Sequence, residues 1–240
     1  LSFTRRVIVP DHIGCGLSDK PGPDEYRYTL KSRVDDLDTL ISHLDIDEKI
    51  SLVVHDWGGM IGLAWAVDHI DRIEKIVITN TSGFFLPPDK PFPRRLAMIK
   101  YLNFFAVPAV LGLNIFSWGA LYMASKKGLS PKIKKGLTEP YNSWKNRIAT
   151  LKFVQDIPIS ESDESYSVVD HVDRHLDRLD ESRIMFLWGE RDFVFDLTFF
   201  NEFKRRFPNA RSTVFRDAGH YLFEDKPEET VKLVQSFLNP

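Results

Sequence analysis

Cysteine is nearly absent from this chain, since Cys15 is the only one among 240 residues. A single cysteine cannot close a disulfide within the chain. A disulfide-stabilised secreted scaffold is therefore excluded, and a reducing cytoplasm is the expected compartment. A strong net charge is also lacking, because 32 Lys and Arg nearly balance 34 Asp and Glu to give a formal charge of −2. This balance argues against a nucleic-acid partner and against an acidic-lipid partner.

Long uninterrupted hydrophobic runs are absent as well. The most apolar stretches, residues 96–108 and 110–123, are broken by five residues: Lys100, Asn103, Pro108, Gly112 and Asn114. An integral membrane span is therefore not expected. Apolar residues still make up 43% of the sequence, which is enough for the core of one enzyme domain. The two apolar stretches predict a pocket for an apolar small molecule, and peripheral contact with a membrane surface is the lesser alternative.

Alternating strand and helix patterns run through both ends of the chain. Strands are predicted at residues 6–9, 51–54, 75–79, 184–188 and 213–216, and helices at residues 30–44, 60–69, 197–206 and 227–237. The intervening segment begins with several prolines and shows only helical patterning. The sequence therefore predicts an α/β core with one mostly parallel sheet, formed by residues 1–82 and 181–240, and a helical cap formed by residues 83–180.

An abrupt turn at Asp56 joins a β-branched strand to a helix rich in small residues. A carboxylate in such a turn can displace a leaving group from an alkyl carbon, and the ester that forms can be hydrolysed by water. The small residues predict that the helix packs closely on the sheet and aims its N-terminal amides at Asp56. They are Gly58, Gly59, Gly62, Ala64 and Ala66. The alternative is that Asp56 only caps this helix.

An acid and a histidine follow Asp56 in the order that such a nucleophile turn requires. Asp192 comes directly after a buried strand, with Glu190 and Asp196 as rival acids. A solvated turn or a helix N-cap is the alternative role for Asp192. His220 lies in an Asp-Ala-Gly-His loop, and it is the only one of seven histidines that directly follows a strand and a glycine. The predicted catalytic residues are therefore Asp56, Asp192 and His220.

These motifs resemble the haloalkane dehalogenase family of α/β-hydrolases. The resemblance covers nearly the whole chain: the loop Val9-Pro-Asp-His-Ile-Gly-Cys-Gly-Leu-Ser-Asp-Lys-Pro21, the His-Asp-Trp-Gly-Gly turn, the Trp-Gly-x-x-Asp192 turn and the Asp-Ala-Gly-His220 turn. It implies a cap inserted after the sixth strand, and a reaction without cofactor or metal. Asn80 stands where some branches carry a Glu as the acid, which favours branches with a late Asp. Residues 140–158 further resemble the branch that contains the β-lactone decarboxylases of olefin biosynthesis.

The resemblance also implies strands before residue 6 and a preceding loop that supplies a second oxyanion or halide donor. A His-Gly pair usually marks that loop, and none occurs in this sequence. The chain is therefore expected to be an N-terminally truncated enzyme that lacks those strands.

The reaction implied by the resemblance has two steps. Asp56 attacks an apolar alkyl substrate, aided by the backbone amide of Trp57, with its indole N–H as a further donor. His220, oriented by Asp192, then activates the water that hydrolyses the ester. Three substrates remain open: a haloalkane, a β-lactone that is opened and decarboxylated, and an epoxide. A ligand-binding receptor on the same scaffold is the alternative outside the enzymes.

Overall fold

Four parallel strands form the sheet in a computed structural model that describes residues 2, 4–88 and 90–239. They are β1 (Ile50–Asp56), β2 (Ile73–Thr81), β3 (Ile184–Gly189) and β4 (Arg211–Phe215), and they lie in the order β1-β2-β3-β4. Every neighbouring pair is parallel. The carboxyl ends of all four strands therefore meet at one edge, which is where α/β proteins bind their ligands.

Helices cover both faces of the sheet. The helices before and after the first strand are α1 (Leu30–His43) and α2 (Trp57–Asp68). Those that follow the third strand are α9 (Leu197–Arg206), α10 (Leu222–Asp225) and α11 (Pro227–Leu238). Ile76 and Ile78 of β2 face a core shared with α2 and α9, whereas Val77 between them packs with α11. This alternation is the period of two that a sheet buried on both faces requires.

The segment between β2 and β3 contains six further α-helices and no strand among its described residues. They are α3 (Arg94–Tyr101), α4 (Asn103–Ala106), α5 (Ile115–Met123), α6 (Pro131–Thr138), α7 (Ile148–Gln155) and α8 (Tyr166–His175). A π-helix, Val107–Gly112, connects α4 to the loop before α5. Short 3₁₀ turns lie at Ile70–Arg72, Glu139–Tyr141, Lys145–Arg147, Leu176–Arg178 and Glu181–Arg183.

Within the described part of the chain, no single helix is long and apolar enough to cross a bilayer. Two consecutive helical segments, α3 and Asn103–Gly112, are together long and apolar enough by length and composition, but the angle between them is 96°.

The predicted strand at residues 6–9 is wrong. Val7, Ile8 and Val9 are exposed and have no regular secondary structure. A β-branched sequence favours a strand, but the strand forms only when a neighbour accepts its backbone hydrogen bonds. Among the described residues, β1 pairs with β2 alone and residues 6–9 pair with no strand. The other four predicted strands and all four predicted helices are present, with ends shifted by at most a few residues.

Candidate active site

Asp56 occupies a strained backbone position between β1 and α2. Its φ of 49° and ψ of −131° are unusual for a residue with a side chain. The Thr81 hydroxyl donates a hydrogen bond to the Asp56 carbonyl, which ties the turn to the end of β2. The Asp56 carboxylate makes no capping hydrogen bond to α2. Helix capping therefore does not explain this residue.

Two glycines allow α2 to pack directly on the sheet. A Cβ atom on Gly59 would lie 1.9 Å from the Thr81 hydroxyl oxygen, and one on Gly62 would lie 2.8 Å from a methyl group of Val54. These close approaches confirm the prediction for Gly59 and Gly62. Gly58 differs, because a Cβ there would meet nothing within 4 Å. Its small size is not needed for packing.

Asp192 and His220 form a buried hydrogen-bonded pair at the carboxyl edge of the sheet. The Nδ1 atom of His220 lies 2.8 Å from Oδ2 of Asp192. The other carboxylate oxygen of Asp192 accepts a hydrogen bond of 2.7 Å from the Val194 amide. The Asp192 carboxylate is completely inaccessible to solvent. It is therefore not the solvated turn residue of the alternative interpretation.

The two rival acids have other positions. Glu190 is exposed. Asp196 caps α9 by accepting a hydrogen bond of 3.0 Å from the Thr198 amide, and its carboxylate also pairs with Lys90. Neither contacts His220, so Asp192 is the acid that the structure brings to the histidine.

The other side of His220 faces Asp56. Its Nε2 atom lies 3.8 Å from Oδ2 of Asp56, slightly beyond hydrogen-bond range. The Asp56 side chain is 42% exposed and that of His220 only 10%. The imidazole is thus held between two carboxylates, of which Asp56 alone is open to an incoming molecule.

These contacts set the ionisation of the pair. Burial lowers the pKa of His220, but the charge and hydrogen bond of Asp192, together with the charge of Asp56, outweigh burial and raise the pKa to about 10. Burial likewise raises the pKa of Asp56, and the nearby imidazolium more than offsets this, so the pKa of Asp56 lies below its usual value. With Asp56 free, the pair is therefore a carboxylate and an imidazolium at neutral pH.

His55, which the sequence interpretation gave no role, fixes the backbone of His220. Its Nε2 atom lies 2.8 Å from the His220 carbonyl oxygen, and the two rings are 4.5 Å apart. Burial, and then the charge of His220, lower the pKa of His55 to about 4. A neutral His55 therefore donates its Nε2–H to that carbonyl and adds no second positive charge beside His220.

Asp225 was also missed, and it anchors the histidine loop. Its carboxylate accepts a hydrogen bond of 2.7 Å from the Gly219 amide and one of 2.6 Å from the Ser125 hydroxyl. It also accepts from the amides of Lys126 and Lys127. One buried carboxylate thus joins the loop of His220 to the segment that follows α5.

Trp57, the first residue of α2, packs in an aromatic cluster. Its ring lies 5.2 Å from that of Phe153 in α7. The buried guanidinium of Arg33 lies 3.7 Å from the Phe153 ring centre and 5.4 Å from that of Trp57, and it pairs with Asp156 at 3.3 Å. The Nε and Nη2 atoms of Arg33 have no hydrogen-bond partner. The two aromatic faces offer these N–H groups an electrostatic substitute.

The sequence profile of the α/β-hydrolase fold family matches residues 1–227. With the parallel sheet and the turn at Asp56 in place, the chain belongs to the α/β-hydrolase family. A curated relative, a cis-3-alkyl-4-alkyloxetan-2-one decarboxylase from Xanthomonas campestris pv. campestris, is 44% identical over 243 residues, which cover 99% of this chain and 81% of that protein. A haloalkane dehalogenase from Mycolicibacterium smegmatis is 29% identical over 240 residues, which cover 97% of this chain and 76% of that one.

The crystal structure of a haloalkane dehalogenase from Bradyrhizobium elkani superimposes with a TM-score of 0.81 at 21% identity, covering 95% of this chain and 79% of that one. This similarity confirms the fold. The family match and the two relatives assign the chain to the haloalkane dehalogenase-like branch of the family, as the sequence motifs predicted.

Proposed function

We propose that this protein decarboxylates cis-3-alkyl-4-alkyloxetan-2-ones, which are β-lactones with two alkyl chains. The observation that carries the proposal is the 44% identity to a decarboxylase of this name along almost the entire chain. The identity to the dehalogenase is 29% over a similar length. The exposed carboxylate of Asp56 beside a buried His–Asp pair supports it, because opening a lactone at its alkyl carbon requires a carboxylate nucleophile rather than a hydroxyl.

The first step of the proposed reaction opens the ring. An oxygen of Asp56 attacks C4 of the lactone from the face opposite the ring oxygen, and the bond between C4 and that oxygen breaks. The product is an ester between Asp56 and C4, and the ring oxygen becomes part of a carboxylate that is still bonded to C3 through C2. The negative charge is on Asp56 before this step and on the carboxylate of the substrate after it.

The second step releases carbon dioxide and needs no water. The bond between C2 and C3 breaks, its electron pair forms the double bond between C3 and C4, and the ester bond from C4 to Asp56 breaks. Attack from the opposite face places the Asp56 oxygen antiperiplanar to the carboxylate. Inversion followed by anti elimination keeps the two alkyl chains on the same side, so a cis lactone gives a cis alkene. Asp56 leaves as a free carboxylate, ready for the next turnover.

His220 takes a different role in this reaction from the one it has in hydrolysis. As an imidazolium it pairs with Asp56 and can donate a hydrogen bond to the departing carboxylate, and Asp192 stabilises its charge. In haloalkane hydrolysis His220 would have to accept a proton from water. Esterification of Asp56 removes one of the two negative charges that raise the pKa of His220. The same residues could therefore serve hydrolysis once an ester without an adjacent carboxylate has formed.

Residues 83–180 form the proposed cap over this site. Phe153 of α7 packs against Trp57, next to the nucleophile, so the helical segment reaches the reacting centre. We assign the backbone amide and indole N–H of Trp57 to stabilise the charge that leaves C4. An apolar pocket between cap and core would hold the two alkyl chains and exclude water, which protects the intermediate from hydrolysis.

Haloalkane dehalogenation is the second candidate, favoured by the dehalogenase relative. One experiment separates the two. Purified protein is incubated in ¹⁸O-labelled water with a cis-3,4-dialkyl β-lactone or with a bromoalkane, and alkene and bromide are measured together with the mass of the peptide that contains Asp56. The lactone should give cis alkene while Asp56 stays unlabelled, because elimination never exposes the ester to water.

Asp56→Ala should abolish alkene formation. Asp45→Ala is the matched control, since Asp45 is an exposed aspartate that also has positive φ, at 47°. Label entering Asp56 during lactone turnover, or a trans alkene, would refute the elimination mechanism. Bromide release without any alkene would overturn the decarboxylase proposal in favour of the dehalogenase.

A further inference from the structure

The charge of this protein is distributed very unevenly. Residues 94–147 contain ten Lys or Arg and a single acidic residue, Glu139, which is a formal charge of +9 in a chain whose total is −2. The rest of the chain is correspondingly acidic. This segment corresponds to α3 through α6 and the loop that follows them.

The same segment exposes large apolar side chains. On α5, Trp118 is 51% exposed and Tyr122 is 70% exposed, and Ile115 is exposed on the same helix face. Ser117 and Leu121, on the opposite face, are buried. An isolated exposed apolar residue is ordinary, but a helix face made of three is not. Further exposed members of the segment are Met98, Tyr101, Leu102, Phe104, Phe105, Leu113 and Trp144.

Basic side chains of this segment contact its aromatic and methionine side chains. The Nζ atom of Lys134 in α6 lies 5.1 Å from the ring centre of Tyr122 in α5. Arg95 in α3 lies 3.3 Å from the sulfur of Met123 at the end of α5. The exposed residues of α3 to α6 therefore belong to neighbouring elements. We call the surface formed by residues 94–147 the basic aromatic face.

We propose that the basic aromatic face docks the protein on a lipid bilayer with anionic headgroups. Trp and Tyr favour the boundary between headgroups and acyl chains, where one end of the side chain is apolar and the other is hydrated. Lys and Arg around them are attracted to anionic lipids. Helices that carry both lie in the plane of the interface without crossing it. The proposal does not depend on the reaction, although a substrate with two long alkyl chains would itself partition into a bilayer.

The test is co-sedimentation of the purified protein with vesicles of phosphatidylglycerol or of phosphatidylcholine, at low and high salt. We expect binding to phosphatidylglycerol vesicles, at least about tenfold weaker binding to phosphatidylcholine, and loss of binding at high salt. Equal binding to both lipids, or binding to neither, would overturn the proposal. An acidic protein partner would then be the remaining explanation of the charge.

Paired substitutions show whether this face is the one that binds. Lys132→Glu with Lys135→Glu replaces two exposed positive charges by negative ones, and Trp118→Ser with Tyr122→Ser removes aromatic side chains. Each pair should lower the partition coefficient at least about tenfold. The control pairs change exposed residues outside the face: Lys49→Glu with Lys232→Glu, and Val7→Ser with Val231→Ser.

The far-UV circular dichroism spectrum and the Tm without vesicles should be the same in all four variants as in the wild type. This comparison verifies folding and keeps the lipid result separate from the proposed reaction. Test variants that bind as tightly as the wild type, or controls that lose binding equally, would show that the face is not the docking surface.

Discussion

Asp192 and Glu190 lie two residues apart at the end of β3, but only Asp192 contacts His220. The Asp192 carboxylate is buried and divided between the imidazole and the Val194 amide, so its orientation is fixed. Glu190 points to solvent. A residue held by two hydrogen bonds can position a third group, whereas an exposed side chain cannot.

Asp192→Asn should therefore lower kcat for alkene formation by roughly 10²-fold or more, because an amide neither stabilises the imidazolium nor fixes its tautomer. The pKa of His220, followed by NMR, should fall in the same variant. Glu190→Gln should change both quantities little. If the two variants showed the reverse pattern, Asp192 would not be the acid.

Other residues of the site could not be assigned a role from the sequence, because their contacts are made with distant segments of the chain. His55 belongs to the His-Asp-Trp-Gly-Gly turn and directly precedes Asp56, the proposed nucleophile, but only the structure shows that its ring reaches the His220 carbonyl. Arg33 lies in the first turn of α1 with the spacing of an ordinary surface arginine, yet its side chain is fully buried against Trp57 and Phe153. Contacts between distant segments leave no local pattern, in contrast to the nucleophile turn, where strand, turn and helix are contiguous.

At the scale of elements, the packing of α2 against β1 and β2 holds Asp56, the proposed nucleophile, in its strained conformation. Gly59→Ala would bring a methyl group against Thr81, the residue that holds the Asp56 carbonyl. We expect a loss of about 1–3 kcal/mol in the free energy of unfolding, with reduced activity. Gly58→Ala is the matched control on the same helix turn and should be neutral or slightly stabilising, because alanine favours helix. Urea denaturation of both variants measures this, and equal losses would mean that the close approach is unimportant.

The strands show why local patterns predict some elements and not others. The segments around residues 76–78 and 184–188 are buried on both faces and pair with a strand on each side. Their apolar runs therefore predict strands correctly. Residues 6–9 carry a similar run, but no neighbouring strand among the described residues pairs with it. Pairing is a property of the sheet and cannot be predicted from four residues.

At the scale of the whole molecule, the site contributes a pH-dependent part of the stability. The folded-state pKa of His220 is raised from 6.5 to about 10. The stabilisation linked to this shift is complete below pH 6.5 and is lost as the pH rises through about 10. Thermal unfolding should therefore show that the advantage of the wild type over His220→Gln shrinks between pH 7 and 9.5, by at least about 3 °C in Tm. His43→Gln, at the exposed end of α1, should show no such change. A constant difference across this range would contradict the assigned pKa shift.

Net charge is informative at this scale only when its distribution is known. The total of −2 argued against an acidic-lipid partner. It is, however, the sum of a basic segment, residues 94–147, and a larger remainder of the chain that is acidic. The positions of the charges were already in the sequence. Their significance depends on the exposed aromatic residues beside them, and exposure is known only from the fold.

The hydrogen bond between Asp225 and Ser125 affects the order in which parts of the protein are expected to fold. This bond closes a loop of 100 residues. Closing a flexible loop of that length costs about 4 kcal/mol of chain entropy. By contrast, α1, β1, α2 and β2 are consecutive and contact one another over short separations, and short-range contacts form first. Asp56 is thus expected to reach its strained turn early, and His220 to join it only when the last helices have docked on the segment after α5.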